Sequence, residues 1–351
     1  MHVFPANQSV TNADYNKLIK PDGQPQYGRY QTSFQAINRQ DFEYLDPMDR
    51  PAGRLRRYFH FNQFHFLALH GNHFTLACAI ANVRYVASAF VYLFDHQGHQ
   101  LTSHRFTQPL GWRCHLSPHP FAGLSRFHTR GAHFEILGRS DPVRYELSIR
   151  IGSQVAVDAS LDAGTAPAPT VVCTPTGFSG WSYTEKHYHL PVNGYIQWQG
   201  RTLPLTEDCQ AVSDWSCGYM RRETAWNWAS ISGPLDQETQ LGLNLACGVN
   251  ETSFSENTLW LNGVSQSLGP ARFQFNRRNR LAPWQITTAD HKVALNFVPI
   301  AHYRDRMDRL WLATNFCQLA GHYHGTVYDH HNQPHAVNGM LGLAEDHYAR
   351  W

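Results

Sequence analysis

The 351-residue chain carries a formal net charge of +2, with 29 Lys and Arg against 27 Asp and Glu, so its overall field excludes a nucleic acid as the main partner. Its length suits two domains of roughly 150–180 residues. Aromatic residues at 13% against charged residues at 16% exclude disorder and point to extensive buried or cavity-lining surface.

Seven cysteines, an odd number without a CxxC pair, fit buried thiols in a reducing compartment better than a disulfide framework or a zinc knuckle. The first ten residues lack the basic and apolar regions of a signal peptide. No stretch reaches the ~20 apolar residues of a membrane span. The expectation is a soluble cytoplasmic protein with no integral membrane segment.

Residues 1–50 are polar and interrupted by Pro5, Pro21, Gly23, Pro25 and Pro47, which predicts an irregular arm with one short helix near Asp41–Leu45. From Arg56 the pattern changes. Tyr58, His60, Asn62, Phe64, Phe66 and Ala68 alternate with Phe59, Phe61, Gln63, His65, Leu67 and Leu69, a strand that is apolar on both faces. His73–Ala81, Arg84–Phe94 and, after the turn Asp95–Gly98, Leu101–Phe106 continue as antiparallel strands. Others follow at His133–Leu137, Arg144–Ile151 and Gln154–Val157. The basic clusters Arg54–Arg57 and Arg277–Arg280 read as solvated loops or strand ends.

Asp162–Thr170, rich in small residues and proline, is the linker candidate. It places one barrel at 51–165 and a second at 166–351. Strand patterns return at Val192–Trp198 with turn Gln199-Gly200, Trp226–Ser232, Gln240–Gly248 and Thr258–Trp260, where Asn262-Gly263 signals a type I′ hairpin. They persist to Gly325–Tyr328 with no sustained helical period. The predicted fold class is all-β, two antiparallel barrels side by side with few short helices, and any site lies in a barrel mouth or between the barrels.

Two stretches concentrate chemistry, Gly180–His189 and Ser213–Gly233. Metal binding is suggested by His187-Tyr-His189 and His322-Tyr-His324, since i and i+2 on a strand share a face; His60, His65, Asp214 or Glu345 could add a third ligand. Among 22 histidines such pairs also arise by chance, and no metal is assigned. Nucleophilic catalysis has little support, because Gly177-Phe-Ser-Gly180 lacks an elbow context and Cys217 reads as a buried thiol. General acid–base chemistry needs no cofactor. A carboxyl such as Glu185 or Asp214 against indole rings would be desolvated and hold its proton, while Trp215, Trp226 and Trp228 could stabilise developing positive charge. The competing structural reading makes these tryptophans core and pairs Asp214 with Arg222.

Gly180-W-S-Y-T-E-K-H-Y188, Leu190-P-V-N-G194, Asp214-W, Trp226-N-W-A-S230, Gly248-V-N-E251, Glu256-N, Pro283-W284 and Gly342-L-A-E-D-H-Y-A-R-W351 resemble a bacterial domain-of-unknown-function family. That family is similar, more remotely, to the AttH and carotenoid 1,2-hydratase (hydroxyneurosporene synthase) group. The resemblance implies two lipocalin-like barrels and cofactor-free addition of water to an isoprenoid double bond, although Y-T-E-K-H-Y stands where the hydratases carry a His-rich turn. The expected partner is a hydrophobic or aromatic small molecule. Glu185 or Asp214 is the expected proton donor and His187 its partner. Arg222 and Asn227 would orient a polar end, with Tyr183, Trp215, Trp226, Trp228, Glu251 and Glu345 binding the ligand. A non-catalytic carrier and a metal-dependent enzyme using the His-x-His pairs are the alternatives.

Overall fold

A computed structural model describes residues 15–249 and 253–351 of the chain. After β1 (Gly28–Tyr30) and the short helix α1 (Arg54–Phe59) come β2 (Asn62–His70), β3 (Phe74–Asn82), β4 (Val86–Asp95) and β5 (Gln100–Pro109). Next are β6 (Cys114–His115), β7 (Gly123–Thr129), β8 (Ala132–Ser140), β9 (Val143–Ile151) and β10 (Val155–Asp162). β11 (Thr170–Thr176), β12 (Gly180–Trp198), β13 (Arg201–Leu205) and β14 (Gln210–Gly218) complete the first sheet, which curls into a nearly closed barrel.

The second sheet is a curled half-barrel. It holds β15 (Glu223–Pro234), β16 (Gln240–Cys247), β17 (Thr258–Leu261), β18 (Val264–Ser267), β19 (Ala271–Gln274), β20 (Trp284–Thr288), β21 (Val293–Arg309), β22 (Leu312–Tyr328) and β23 (Pro334–Arg350). Every named strand pair is antiparallel, and no described helix is long and apolar enough to cross a membrane.

The change of sheet falls between Gly218 and Glu223, so the boundary expected at 165/166 does not mark it. The proline-rich segment merely joins β10 to β11, and β12 and β14 pair with β10 and β2 of the first sheet. The expected helix at Asp41–Leu45 is only a 3-10 turn at Arg39–Asp41. Conversely, Arg54–Phe59 is helical where a solvated loop or strand end running into a strand from Tyr58 was expected, and the strand begins at Asn62. Asn262 and Gly263 both have positive φ, 47° and 80°, as a type I′ turn between β17 and β18 demands.

The two apolar faces read in β2 have separate destinations. Leu67 and Leu69 point into the first barrel with Leu76, Val91, Ile149 and Ile196. Phe66 and Ala68 point outward and pack with Tyr92, Trp228, Trp260 and Tyr303, which glue the two sheets together. The arm is no loose tail over its described part: Leu18, Ile19, Phe34 and Phe42 bury against Val171, Trp181, Tyr183 and Trp215.

β12 is the strand that organises both regions. Its first half lies between β11 and β14, and its second half between β10 and β13. A bulge between His187 and Leu190, with His189 at φ +55°, changes the parity: Glu185 and His187 face inward before it, Leu190 and Val192 after it. Farther along, Gly194 (φ +128°) lets β12 press on β10, since a Cβ there would stand 2.0 Å from the Asp158 carbonyl oxygen.

Candidate functional site

Between the outer face of the first sheet and the surface of β15 and β21–β23 that faces it lies a cavity of about 230 Å³ with mainly apolar walls. Register places its polar floor. Lys186 is opposite Asp214 and Thr184 opposite Ser216 on the β12–β14 ladder, and all four side chains point outward, away from the barrel interior.

Lys186 Nζ binds Asp214 Oδ2 and lies 3.2 Å from Glu256 Oε2; the lysine side chain is 5% exposed and that of Glu256 3%. Asp214 Oδ1 also accepts hydrogen bonds from Thr184 Oγ1 at 3.2 Å and Ser216 Oγ at 3.0 Å. The ammonium stands 5.6 Å from the Trp228 ring centroid, a cation–π contact in a desolvated setting.

On the facing wall Glu345 accepts from Trp226 Nε1 at 2.7 Å and Gln318 Nε2 at 2.9 Å. Tyr92 in turn donates to Gln318 Oε1 at 2.7 Å. His347 Nδ1 lies 3.7 Å from Glu345 Oε1, and an Arg105–Asp305 ion pair at 2.8 Å joins the sheets beside it.

The electrostatics separate the carboxyls. Burial raises the Glu256 pKa above the ordinary glutamate value, and the nearby Asp214 charge adds to this against the pull of Lys186. For Lys186, burial alone would lower the pKa, yet Asp214 and Glu256 outweigh it and hold the ammonium charged. Such a cluster sets two carboxyls and an ammonium beside an indole wall, the elements of acid–base chemistry in a dry pocket.

Of the residues singled out in the sequence, Asp214, Trp226, Trp228 and Glu345 share this cavity. Tyr183, Glu185, His187 and Trp215 do not, because strand alternation sends them through the sheet to the barrel interior. There Glu185 is fully buried and accepts from Ser33 Oγ and Tyr183 OH, each at 2.7 Å, and lies 2.8 Å from His187 Nε2. Burial would raise its pKa, but His187, Ser33 and Tyr183 more than offset this and hold it below the ordinary glutamate value. The expectation that Glu185 keeps a proton is therefore corrected: its full set of donors stabilises the anion.

Arg222 is exposed beside the chain end, where its carbonyl accepts from Trp351 N at 3.0 Å, and it does not pair with Asp214. Asn227 turns from the cavity to Asp346 Oδ1 at 3.1 Å. Glu251 lies outside the described residues.

The His-x-His pairs do not converge. His187 serves Glu185, and His189 sits on the bulge, where alternation fails. His322 bonds the Gly339 carbonyl at 2.9 Å, and its partner His324 is exposed. Among the described residues, no three His, Cys, Asp or Glu side chains are grouped to hold one ion.

Sequence reasoning missed Lys186 and Glu256. Lys186 had a signal, the one lysine in a strand whose residues from Trp181 to Leu190 are all buried; Glu256 sits in an irregular segment with no period to place it.

Solved structures with a similar fold include a putative AttH from Nitrosomonas europaea, at 14% identity and TM-score 0.51 over 82% of this chain and 92% of that one. Kievitone hydratase from Nectria haematococca matches at 7% identity and TM-score 0.51, over 81% and 88%. CghA with Sch210972 matches at 7% and 0.54, over 82% and 88%. At these identities the likeness is one of fold, two lipocalin-like barrels. A search of curated protein sequences returns no match. The family profile described as Domain of unknown function (DUF2804) fits residues 8–351, and the chain belongs to that family.

Proposed function

We propose that the cavity between the sheets binds a lipophilic or aromatic small molecule and carries out cofactor-free acid–base chemistry on it, hydration or isomerisation of an isoprenoid-like double bond. The observation that carries this reading is the buried Lys186–Asp214–Glu256 cluster in the wall of an otherwise apolar cavity faced by Trp226 and Trp228. Glu256, whose pKa burial raises, serves as the acid that donates a proton to an alkene carbon. The resulting cation is stabilised by the indole faces and the Asp214 carboxylate. Water then adds and returns a proton to the Glu256 carboxylate, completing hydration; loss of a neighbouring proton instead completes an isomerisation. Glu345, fixed by Trp226 and Gln318, orients a polar end of the ligand.

The kievitone hydratase with this fold is in keeping with such a reaction. Simple carriage would require no buried acid cluster at the wall, which favours catalysis over it. Mass spectrometry of small molecules released from the purified protein tests the reading directly. A lipophilic alkene, or its hydrated product, should be recovered, and Asp214→Asn should abolish turnover while still binding it. Recovery of no such ligand, or unchanged turnover in Asp214→Asn, refutes the assignment.

A further inference from the structure

At one end of the cavity, several exposed apolar side chains gather on neighbouring turns. Register fixes which end it is. On the first sheet Phe90 faces Arg105, Ser88 faces Thr107 and Val86 faces Pro109; on the second, Asp305 faces Phe316, Met307 faces Thr314 and Arg309 faces Leu312. The Tyr92–Gln318 hydrogen bond and the Phe90–Phe316 contact match successive rungs, so both ladders run the same way out of the cavity. Each ends in a turn that carries exposed apolar side chains: Leu110 (65%) and Trp112 (58%) on one, Leu310 (84%) and Trp311 (71%) on the other.

Both turns are tied to the mouth. The Leu110 amide donates to the Tyr85 carbonyl at 2.8 Å, between the cavity-lining Val83 and Val86. Arg350, which also lines the cavity, donates to the Leu310 carbonyl at 3.1 Å. The helix α1 joins the same rim through Phe59 stacked on Tyr85 at 4.7 Å, and presents Leu55 at 75% exposure. Exposed arginines accompany the apolar tips: Arg54 on α1, Arg113 over the Trp112 ring at 4.5 Å, and Arg309 beside Leu310. The nearby acids are engaged, Asp308 with Arg350 at 3.2 Å and Glu223 with Tyr348.

Indole and aliphatic tips interspersed with arginine on several separate turns form the pattern of a surface that sits in a lipid interface, apolar groups among the acyl chains and cations at the phosphates. We propose that this rim docks the protein on an anionic lipid surface, with the cavity mouth facing the bilayer. A lipophilic ligand then enters and leaves without crossing water. The docking stands on the rim alone; only the ligand's route rests on the function proposed for the cavity.

Sedimentation of the full chain with vesicles of phosphatidylcholine, alone or mixed with phosphatidylglycerol, tests it without reference to turnover. The protein should pellet with the mixed vesicles, less so as salt is raised. Trp112→Ser combined with Trp311→Ser should weaken that binding by about tenfold or more. Arg113→Glu combined with Arg309→Glu should remove the preference for phosphatidylglycerol. Val264→Ser, which changes an exposed apolar residue on the distant β17–β18 turn, should bind as the unchanged chain does. All these side chains are exposed, and a matching thermal transition certifies that each variant is folded. The proposal is overturned if the chain ignores the mixed vesicles, or if the tryptophan pair and Val264→Ser behave alike. A dimer that dissociates with Trp311→Ser and does not bind vesicles would likewise overturn it and mark the rim as an interface between copies. Vesicle binding lost with ligand turnover retained refutes docking alone, whereas docking without any ligand refutes the cavity reading alone.

Discussion

The two faces of the β12–β14 ladder meet buried carboxyls of opposite character, Glu185 within the strand and Glu256 from the segment before β17. On the inner face Glu185 is surrounded by donors from Ser33, Tyr183 and His187, and its charge is stabilised. On the outer face Glu256 shares one lysine with Asp214, and burial raises its pKa. Burial by itself thus decides nothing about a carboxyl; the donors within reach do.

The largest expected difference between the faces is in turnover. Glu256→Gln should reduce it by about 10²–10⁴-fold, the usual worth of a positioned acid, while Glu185→Gln leaves the chemical step intact. Rate measurements that reverse this order would move the reaction to the barrel interior. Next comes Lys186→Met, which strands two buried acids and should lower unfolding free energy by about 3–5 kcal/mol in denaturant titrations. Glu185→Gln should cost less, about 1–3 kcal/mol, because a neutral amide still accepts from two of the three donors.

Dependence on pH sharpens the contrast through opposite signs. Glu185, with its folded-state pKa depressed, contributes stability that is present above the ordinary glutamate range and is lost as pH falls through its lowered value. Glu256, with its folded-state pKa raised, does the reverse: stability declines as pH rises from the ordinary glutamate value through the raised one. Urea unfolding across acidic pH should show Glu185→Gln flattening the first slope and Glu256→Gln the second; parallel curves would contradict the contrast. The smallest effect is expected from Asn227→Ala, about 1 kcal/mol from its lost bond to Asp346, with ligand retention unchanged by equilibrium binding.

The fold was legible because its strands follow a period of two and its turns carry their own chemistry. Asn262-Gly263 needs two positive φ values, and the structure has them. The double-sided apolar pattern of Phe64–Leu69 foretold a strand covered on both faces. The site was legible only in part, for the same reason. Period two says that Glu185 and Lys186 part company, but not which of them meets the second sheet; that depends on where β15–β23 dock, a long-range fact. Trp226 and Trp228 were read as an indole cluster and Glu345 separately as a ligand-binding residue; they meet across β15 and β23, where Trp228 stands opposite Glu345. Glu256 was beyond reach because an irregular segment has no face to assign. The proline-rich stretch joins two strands of one sheet, and in composition such a connection looks like one between two sheets.

The bulge in β12 gives that strand one residue more than its partner: three steps from His187 to Leu190 run against two from Ser213 to Ala211. It is therefore the place where the strand could lose a residue most cheaply, since without His189 the ladder would run straight and Leu190 would still stand opposite Ala211. The same loss a few positions on, between Val192 and Ile196, would turn Ile196 and Trp198 from hydrocarbon to water.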